Sequence, residues 1–333
     1  MAYTKACINW IKEYFKDNPD GKAIIGISGG KDSTIAAALC VEALGADRVV
    51  GVMMPNGVQR DLGDSYEVCE YLGIPSFTMN MEDAYEDILE TISASLAVRG
   101  IEAPYSSVRS NTMIHTNLPA RLRMATLYAV AALYPNSRVV NTCNRSEDYV
   151  GYSTKFGDAA GDFSPLGNLT VREVLEIGDE LGLPKHLVYK APSDGMCGKT
   201  DEDNLGFTYE QLDDHILGTQ KISPEIEEKI ERLHKATRHK YQPMPVFSPV
   251  LEALKDVVGL YDDASMIEPQ EYATGGLVND INISGNIGSF TIDPLYHSAP
   301  NFDKVNQEAV AAVMQKIIDT AGCGLFKENR YGN

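Results

Sequence analysis

The stretch "AIIGISGGKDSTIAAALCVEALG" (residues 23–45) runs from an apolar segment through Gly26-Ile27-Ser28-Gly29-Gly30-Lys31-Asp32-Ser33 into a helical pattern. Spacing excludes two common phosphate loops. A Walker A loop places four residues between its first Gly and its Gly-Lys; here Gly26 and Gly30 are separated by three, and Asp32 follows Lys31. The dinucleotide fingerprint needs a second glycine where Ser28 stands. What remains is strand, glycine turn, helix. Gly29 and Gly30 let the backbone approach an anion, the helix start favours phosphate, and Ser28 and Ser33 add hydroxyls. Asp32 at the tip would repel a bare phosphate. It fits where a cation intervenes, because Mg²⁺ binds through one or two carboxylates plus phosphate oxygens. The plainer alternative makes Asp32 an ordinary helix-start residue.

Outward from this turn, strand and helix patterns alternate. "RVVGVMMP" (48–55) reads as a second strand, with a helix near 61–72. "SFTMNM" (76–81) reads as a weaker third strand, followed by helices near 81–98 and 117–134. "SRVVNTCN" (137–144) is a further strand. This order predicts an α/β fold: a doubly wound, mostly parallel sheet with helices on both faces. Ligands on such sheets sit at the carboxyl ends of strands, here after Ile27, Met54 and Val140. "LTVREVLEIGDELGLP" (169–184) and "SPEIEEKIERLHKATRHK" (223–240) are helices, the second with Ser223 as N-cap and Pro224 at its first position. Between them "APSDGMCGKTDED" (191–203) reads as a mobile loop. The texture changes after "YQPMP": residues 248–333 have a Gly/Asn/Ile-rich middle and a helical pattern near 304–321.

Composition narrows the function classes. The chain has 333 residues, 29 Lys+Arg against 47 Asp+Glu, and a net charge of −18. That balance argues against general nucleic-acid or anionic-membrane binding, which needs a positive field. The six cysteines form no C-x-x-C pair and fit reduced thiols in a cytoplasm. The first residues read as an amphipathic helix rather than a signal peptide, and no apolar run reaches the roughly 18 residues that span a bilayer.

"SGGKDS" (28–33) resembles the pyrophosphate loop of the ATP pyrophosphatase superfamily, whose members include NAD, GMP, asparagine and argininosuccinate synthetases and tRNA-thiolating enzymes. Four further stretches occur in order: "NLPARLRMATLYAVA" (117–131), "NTCNRSEDYVGYSTKFGDAAGDFSPLGNLT" (141–170), "APSDGMCGKTDEDNLGFTYEQLDD" (191–214) and "RHKYQPMPVF" (238–247). Together they resemble the ammonia-dependent NAD synthetase family over residues 5–247, and the second stretch is the most specific.

The resemblance implies a Rossmann-like ATP pyrophosphatase domain over residues 1–247, with an extension over 248–333. It implies ATP contacts at Gly26, Ile27, Ser28, Gly29, Gly30, Lys31, Asp32, Ser33, Thr142 and Ser193. Asp32 and Glu147 would hold Mg²⁺; Lys31 and Lys199 would stabilise charge on the phosphates. Arg121, at the start of a helix, would meet deamido-NAD with Lys155, Asp162, His239 and Lys240, while Arg123 reads as a surface ion-pair residue. The implied reaction joins ammonia to deamido-NAD through an acyl-adenylate, with ATP as co-substrate and a cytoplasmic homodimer as the working form. Before the first strand there are only about 22 residues, too few for a glutaminase domain, so free ammonia is the expected donor.

The chain departs from the family at one ATP-contacting lysine, where Val171 stands and Arg172 follows. Cys197 sits alone in its loop and reads as an ordinary thiol. Two rival readings stay open: another amidating or thiolating ATP pyrophosphatase, and a nucleotide sensor that has lost catalysis. The extension reads as a packing or interface addition ahead of a lid.

Overall fold

The computed structural model describes residues 2–59, 61–101, 107–190 and 201–244. Ser193, Cys197, Lys199 and the extension from 248 lie outside them. The described residues up to Pro243 belong to one compact unit, Met1–Pro243.

Its order is α1 (Ala2–Tyr14), β1 (Ala23–Gly26), α2 (Lys31–Leu44), β2 (Val49–Met53), α3 (Leu62–Leu72), β3 (Ser76–Thr78), α4 (Glu82–Arg99), α5 (Thr112–Ala131), β4 (Arg138–Val139), α6 (Arg145–Val150), α7 (Val171–Glu180), α8 (Lys185–Val188), α9 (Asp201–Leu205), α10 (Tyr209–Leu217) and α11 (Pro224–Thr237). A 3-10 turn, Arg238–Lys240, follows.

The four strands are parallel in the order β3-β2-β1-β4. Ile24 pairs with Val50 on one side and Val139 on the other. The chain winds outward from β1 to β3, then returns through α4 and α5 to place β4 beside β1. The winding therefore reverses between β1 and β4, and a crevice at their carboxyl ends is the expected binding place.

Strand alternation explains the two covered faces. Ala23, Ile25 and Ile27 pack with Ile11 of α1, Ile35 and Leu39 of α2 and Ile177 of α7. Ile24 faces the other way, toward Met124, Leu127 and Val130 of α5. A strand buried on both faces reads as an unbroken apolar run, which is what residues 23–27 present. β3 is a three-residue edge strand whose side chains are all exposed, which accounts for its weaker signal.

One helix starts elsewhere than the sequence predicts. α5 begins at Thr112 rather than near 117, because Asn111 caps it by accepting from the Ile114 N–H at 3.2 Å. Pro119 invites a later start, since proline favours a helix's first turn, yet it lies inside α5. Arg121 consequently stands in the middle of the helix.

Candidate active site

Built from the residues up, the site begins with the loop after β1. The Ile27 N–H donates to Val52 O at 3.0 Å and extends the sheet edge into the turn. Gly29 takes φ +76°, and a Cβ there would lie 2.9 Å from Asp64 Cβ and 3.0 Å from Ser65 N. Both conformation and space therefore require glycine. Ser28 Oγ lies 3.0 Å from Ser33 Oγ and accepts from the Gly30 N–H at 3.2 Å, while Ser33 Oγ donates to Gly30 O at 3.1 Å. These hydroxyls, expected to face phosphate, hold the turn's own shape. The first N–H groups of α2, from Lys31 on, have no acceptor within the helix and remain for an anion.

Lys31 is 5 % exposed. Its Nζ lies 2.8 Å from Asp32 Oδ2, 4.0 Å from Glu147 Oε1 and 5.4 Å from the Tyr209 ring centroid. Burial acts to lower this ammonium's pKa, but the charges of Asp32 and Glu147 and the hydrogen bond to Asp32 outweigh it and hold the pKa above its ordinary value. The two carboxylate oxygens are thus no farther apart than the sum of their distances to Nζ.

Glu147 reaches this point from α6. Asn144 caps that helix in a reciprocal box: its Oδ1 accepts from the Glu147 N–H at 3.0 Å, and its own N–H donates to Glu147 Oε2 at 3.3 Å. Burial raises the Glu147 pKa well above the usual carboxylate range, and the Asp32 charge adds to the rise; Lys31 and the Asn144 N–H pull against it. Two acids facing one ammonium leave an excess negative charge in a buried place. That donor set fits a divalent cation, which takes one or two carboxylates and completes its shell with phosphate oxygens and water. Thr142 is half-buried on the same segment, two residues past Val140.

The remaining expected contacts form a second group. Arg121 Nε donates to Lys155 O at 3.2 Å, and Lys155 Nζ donates to His239 O at 2.5 Å. Lys240 Nζ donates to Gly151 O and Ser153 O, each at 2.7 Å. His239 Nδ1 lies 3.2 Å from Ala236 O. The turn after α11 is thereby clamped onto the 151–158 loop. Gly151 takes φ +66°, and a Cβ there would lie 2.1 Å from Thr237 Cβ. Asp162 has partners of its own: Oδ2 accepts from the Val139 N–H at 2.7 Å, and Oδ1 from the Tyr128 hydroxyl at 3.2 Å. It satisfies the outer edge of β4, and it lines a cleft there with Asn141, Asp148 and Ser164. Burial, then the Asp162 charge, push the Tyr128 hydroxyl up to about 12.

One expectation about an arginine changes. Arg123 is half-buried and donates from Nε to Met54 O at 2.9 Å, and burial lowers its pKa. It braces α5 against the end of β2 instead of forming a surface ion pair. Arg172, which follows Val171 at the departure from the family pattern, pairs through Nη2 with Asp214 Oδ1 at 3.0 Å. Asn144 and Tyr209 were not singled out from sequence. The Asn-x-x-Glu spacing at 144–147 is a capping signature and was the available signal for Asn144.

The NAD synthase family model matches residues 3–244. The NH(3)-dependent NAD(+) synthetase of Pyrococcus furiosus is 37% identical over 245 residues, covering 68% of this chain and 88% of the relative. Among solved structures, the NMN synthetase of Francisella tularensis is 36% identical with a TM-score of 0.64, covering 74% of this chain and 98% of that one. The NAD+ synthetase of Burkholderia pseudomallei is 29% identical with a TM-score of 0.57, covering 72% of this chain and 89% of that one. With its glycine turn, parallel sheet and family match all falling on the same residues, the chain belongs to the NAD synthase family.

Proposed function

We propose that this chain is an ammonia-dependent NAD synthetase: it amidates deamido-NAD with ammonia and ATP, giving NAD, AMP and pyrophosphate. The observation that carries the reading is the meeting of Asp32 and Glu147 at the Lys31 ammonium, beside the glycine turn. Ammonia attacks a carboxylate poorly because oxide would have to leave. Transfer of AMP from ATP to the nicotinate carboxylate releases pyrophosphate and leaves an acyl-adenylate. Ammonia then forms the C–N bond, AMP departs with the C–O bond electrons, and a proton is lost to water.

The α2 N–H groups and Lys31 bind and orient the phosphates, and Lys199 assists. Asp32 and Glu147 hold Mg²⁺, which when bound neutralises charge on the departing pyrophosphate. Gly26, Ile27, Ser28, Gly29, Gly30 and Ser33 shape the turn around ATP, with Thr142 and Ser193 as further contacts. Arg121, Lys155, His239 and Lys240 form the deamido-NAD side, and Asp162 borders it from its place beside β4. No residue acts as nucleophile; the catalysis is positioning and charge stabilisation.

The working form is a cytoplasmic homodimer. Exposed apolar side chains support it: Val98 is 85 % exposed near the end of α4, Met113 is 69 % exposed in the first turn of α5, and Leu133 is 74 % exposed just past its end. Among the described residues no helix is long and apolar enough to cross a membrane. The division at 247/248, with a packing role for the extension, completes the reading.

A second reading of the substrate has its own support, the 36% identity to an NMN synthetase over 98% of that chain. There the acid would be a mononucleotide, amidated by the same chemistry. One assay tests both. The purified chain is given Mg²⁺ and ATP with deamido-NAD or nicotinate mononucleotide, and with ammonium or glutamine. NAD formed with ammonium, alongside AMP and pyrophosphate, is expected. Turnover of the mononucleotide alone would move the substrate, and no AMP release with either acid would overturn the activity.

A further inference from the structure

Asp32 and Glu147 are delivered by different helices, and their oxygens divide in the same way. Asp32 Oδ1 accepts from Asn144 Nδ2 at 3.0 Å, and Oδ2 faces Lys31 Nζ at 2.8 Å. Glu147 Oε2 accepts from the Asn144 N–H at 3.3 Å, and Oε1 faces the same Nζ at 4.0 Å. Each carboxylate gives one oxygen to Asn144 and turns the other toward one point. Asn144 is wholly buried, at 0% exposure.

The amide orientation is settled by chemistry. Asn144 Oδ1 accepts from the Glu147 N–H, a group that can only donate, so Nδ2 must face Asp32. Ser, Thr, Asp and Asn all cap helices well. Of these only asparagine caps with an oxygen and donates with a second side-chain atom. The cap needs any of the four; the contact to Asp32 needs this one.

We propose that Asn144 is a positioning residue that aims Asp32 and Glu147 at one shared divalent cation, in addition to capping α6. This rests on the metal role proposed for that pair. Side chains that orient metal ligands without touching the metal typically change metal affinity by roughly 10–100-fold when removed.

Two variants separate the cap from the aim. Asn144→Ser keeps an oxygen for the cap and loses the donor to Asp32; Asn144→Ala loses both. The full chain is titrated with Mn²⁺ in the presence of a non-hydrolysable ATP analogue, read by electron paramagnetic resonance, and thermal melting is measured alongside. The serine variant is expected to melt like wild type while binding Mn²⁺ at least about tenfold more weakly. Its kcat falls with the KM for deamido-NAD unchanged. The alanine variant shows the same loss and a lower melting temperature. Wild-type Mn²⁺ affinity in the serine variant would overturn the inference and leave the metal reading standing. If wild-type binding is itself indifferent to Asp32→Asn, the metal reading fails, and the role of Asn144 fails with it.

Discussion

The Lys31 ammonium is the counter-ion of a half-buried acid pair, and the charge it leaves unbalanced is what a divalent ion and a polyphosphate together would complete. At an effective dielectric constant near 20, unit charges about 4 Å apart interact by about 4 kcal/mol, so removing the ammonium here is costly, whereas removing one of the two acids leaves it a counter-ion. Asp32→Asn removes a metal ligand and keeps the side chain's shape. The expected result is a fall in kcat of about 10²–10³-fold with unchanged melting, measured by AMP release. Gly29→Ala forces a residue with a side chain to φ +76° against the Asp64 backbone. The left-handed conformation alone costs roughly 1–2 kcal/mol. A lower melting temperature and weaker binding of an ATP analogue should appear together, and an unchanged melting curve would show that the turn relaxes.

At the scale of elements, three caps position the site. Asn144 starts α6, Thr170 starts α7 and Thr208 starts α10, each in a reciprocal box with the residue three positions on. Asp213 of α10 adds to the α7 start by accepting from Ser146 Oγ at 2.5 Å and from the Arg172 N–H at 2.8 Å. Thr170→Ala should therefore lower stability by about 1 kcal/mol, seen in chemical denaturation. The Mn²⁺ affinity should not change, since Thr170 bonds to Glu173 and not to Asp32 or Glu147. Lys240→Met releases the carbonyls of Gly151 and Ser153. Hydrogen exchange over residues 151–158 should quicken, and the KM for deamido-NAD should rise roughly tenfold, equivalent to about 1.4 kcal/mol. Unchanged exchange would contradict the clamp.

These elements were unequally legible in sequence. β1, its turn and α2 are local: an apolar run, two glycines and a helical pattern within 23 residues. Ser223 and Pro224 marked the start of α11 for the same reason. α6 is six residues long, too short to show a period, so no helical pattern announces the element that carries Glu147. Pro119 concealed the true start of α5, and with it the mid-helix place of Arg121. The partners of Arg123, Arg172 and Asp162 are distant in the chain, and no local pattern announces them.

For the whole molecule, the order β3-β2-β1-β4 sets the β1 and β4 ends side by side, and so brings residues 32 and 147 together across more than a hundred positions of sequence. Only the resemblance joined them beforehand. The net charge of −18 opposes self-association over distance, so a dimer must rest on exposed apolar side chains. Light scattering should give twice the 36.4 kDa chain mass. Val98→Glu with Leu133→Glu should shift the protein to monomer without lowering secondary structure, whereas a dimer indifferent to both changes would place the interface elsewhere.

The most direct test is a crystal structure of the chain with Mn²⁺ and a non-hydrolysable ATP analogue, with the ion located by anomalous scattering. The account predicts one ion in contact with a carboxylate oxygen of Asp32, a carboxylate oxygen of Glu147 and the analogue's phosphates. An ion held by the phosphates alone, with Glu147 turned away from it, would contradict the account.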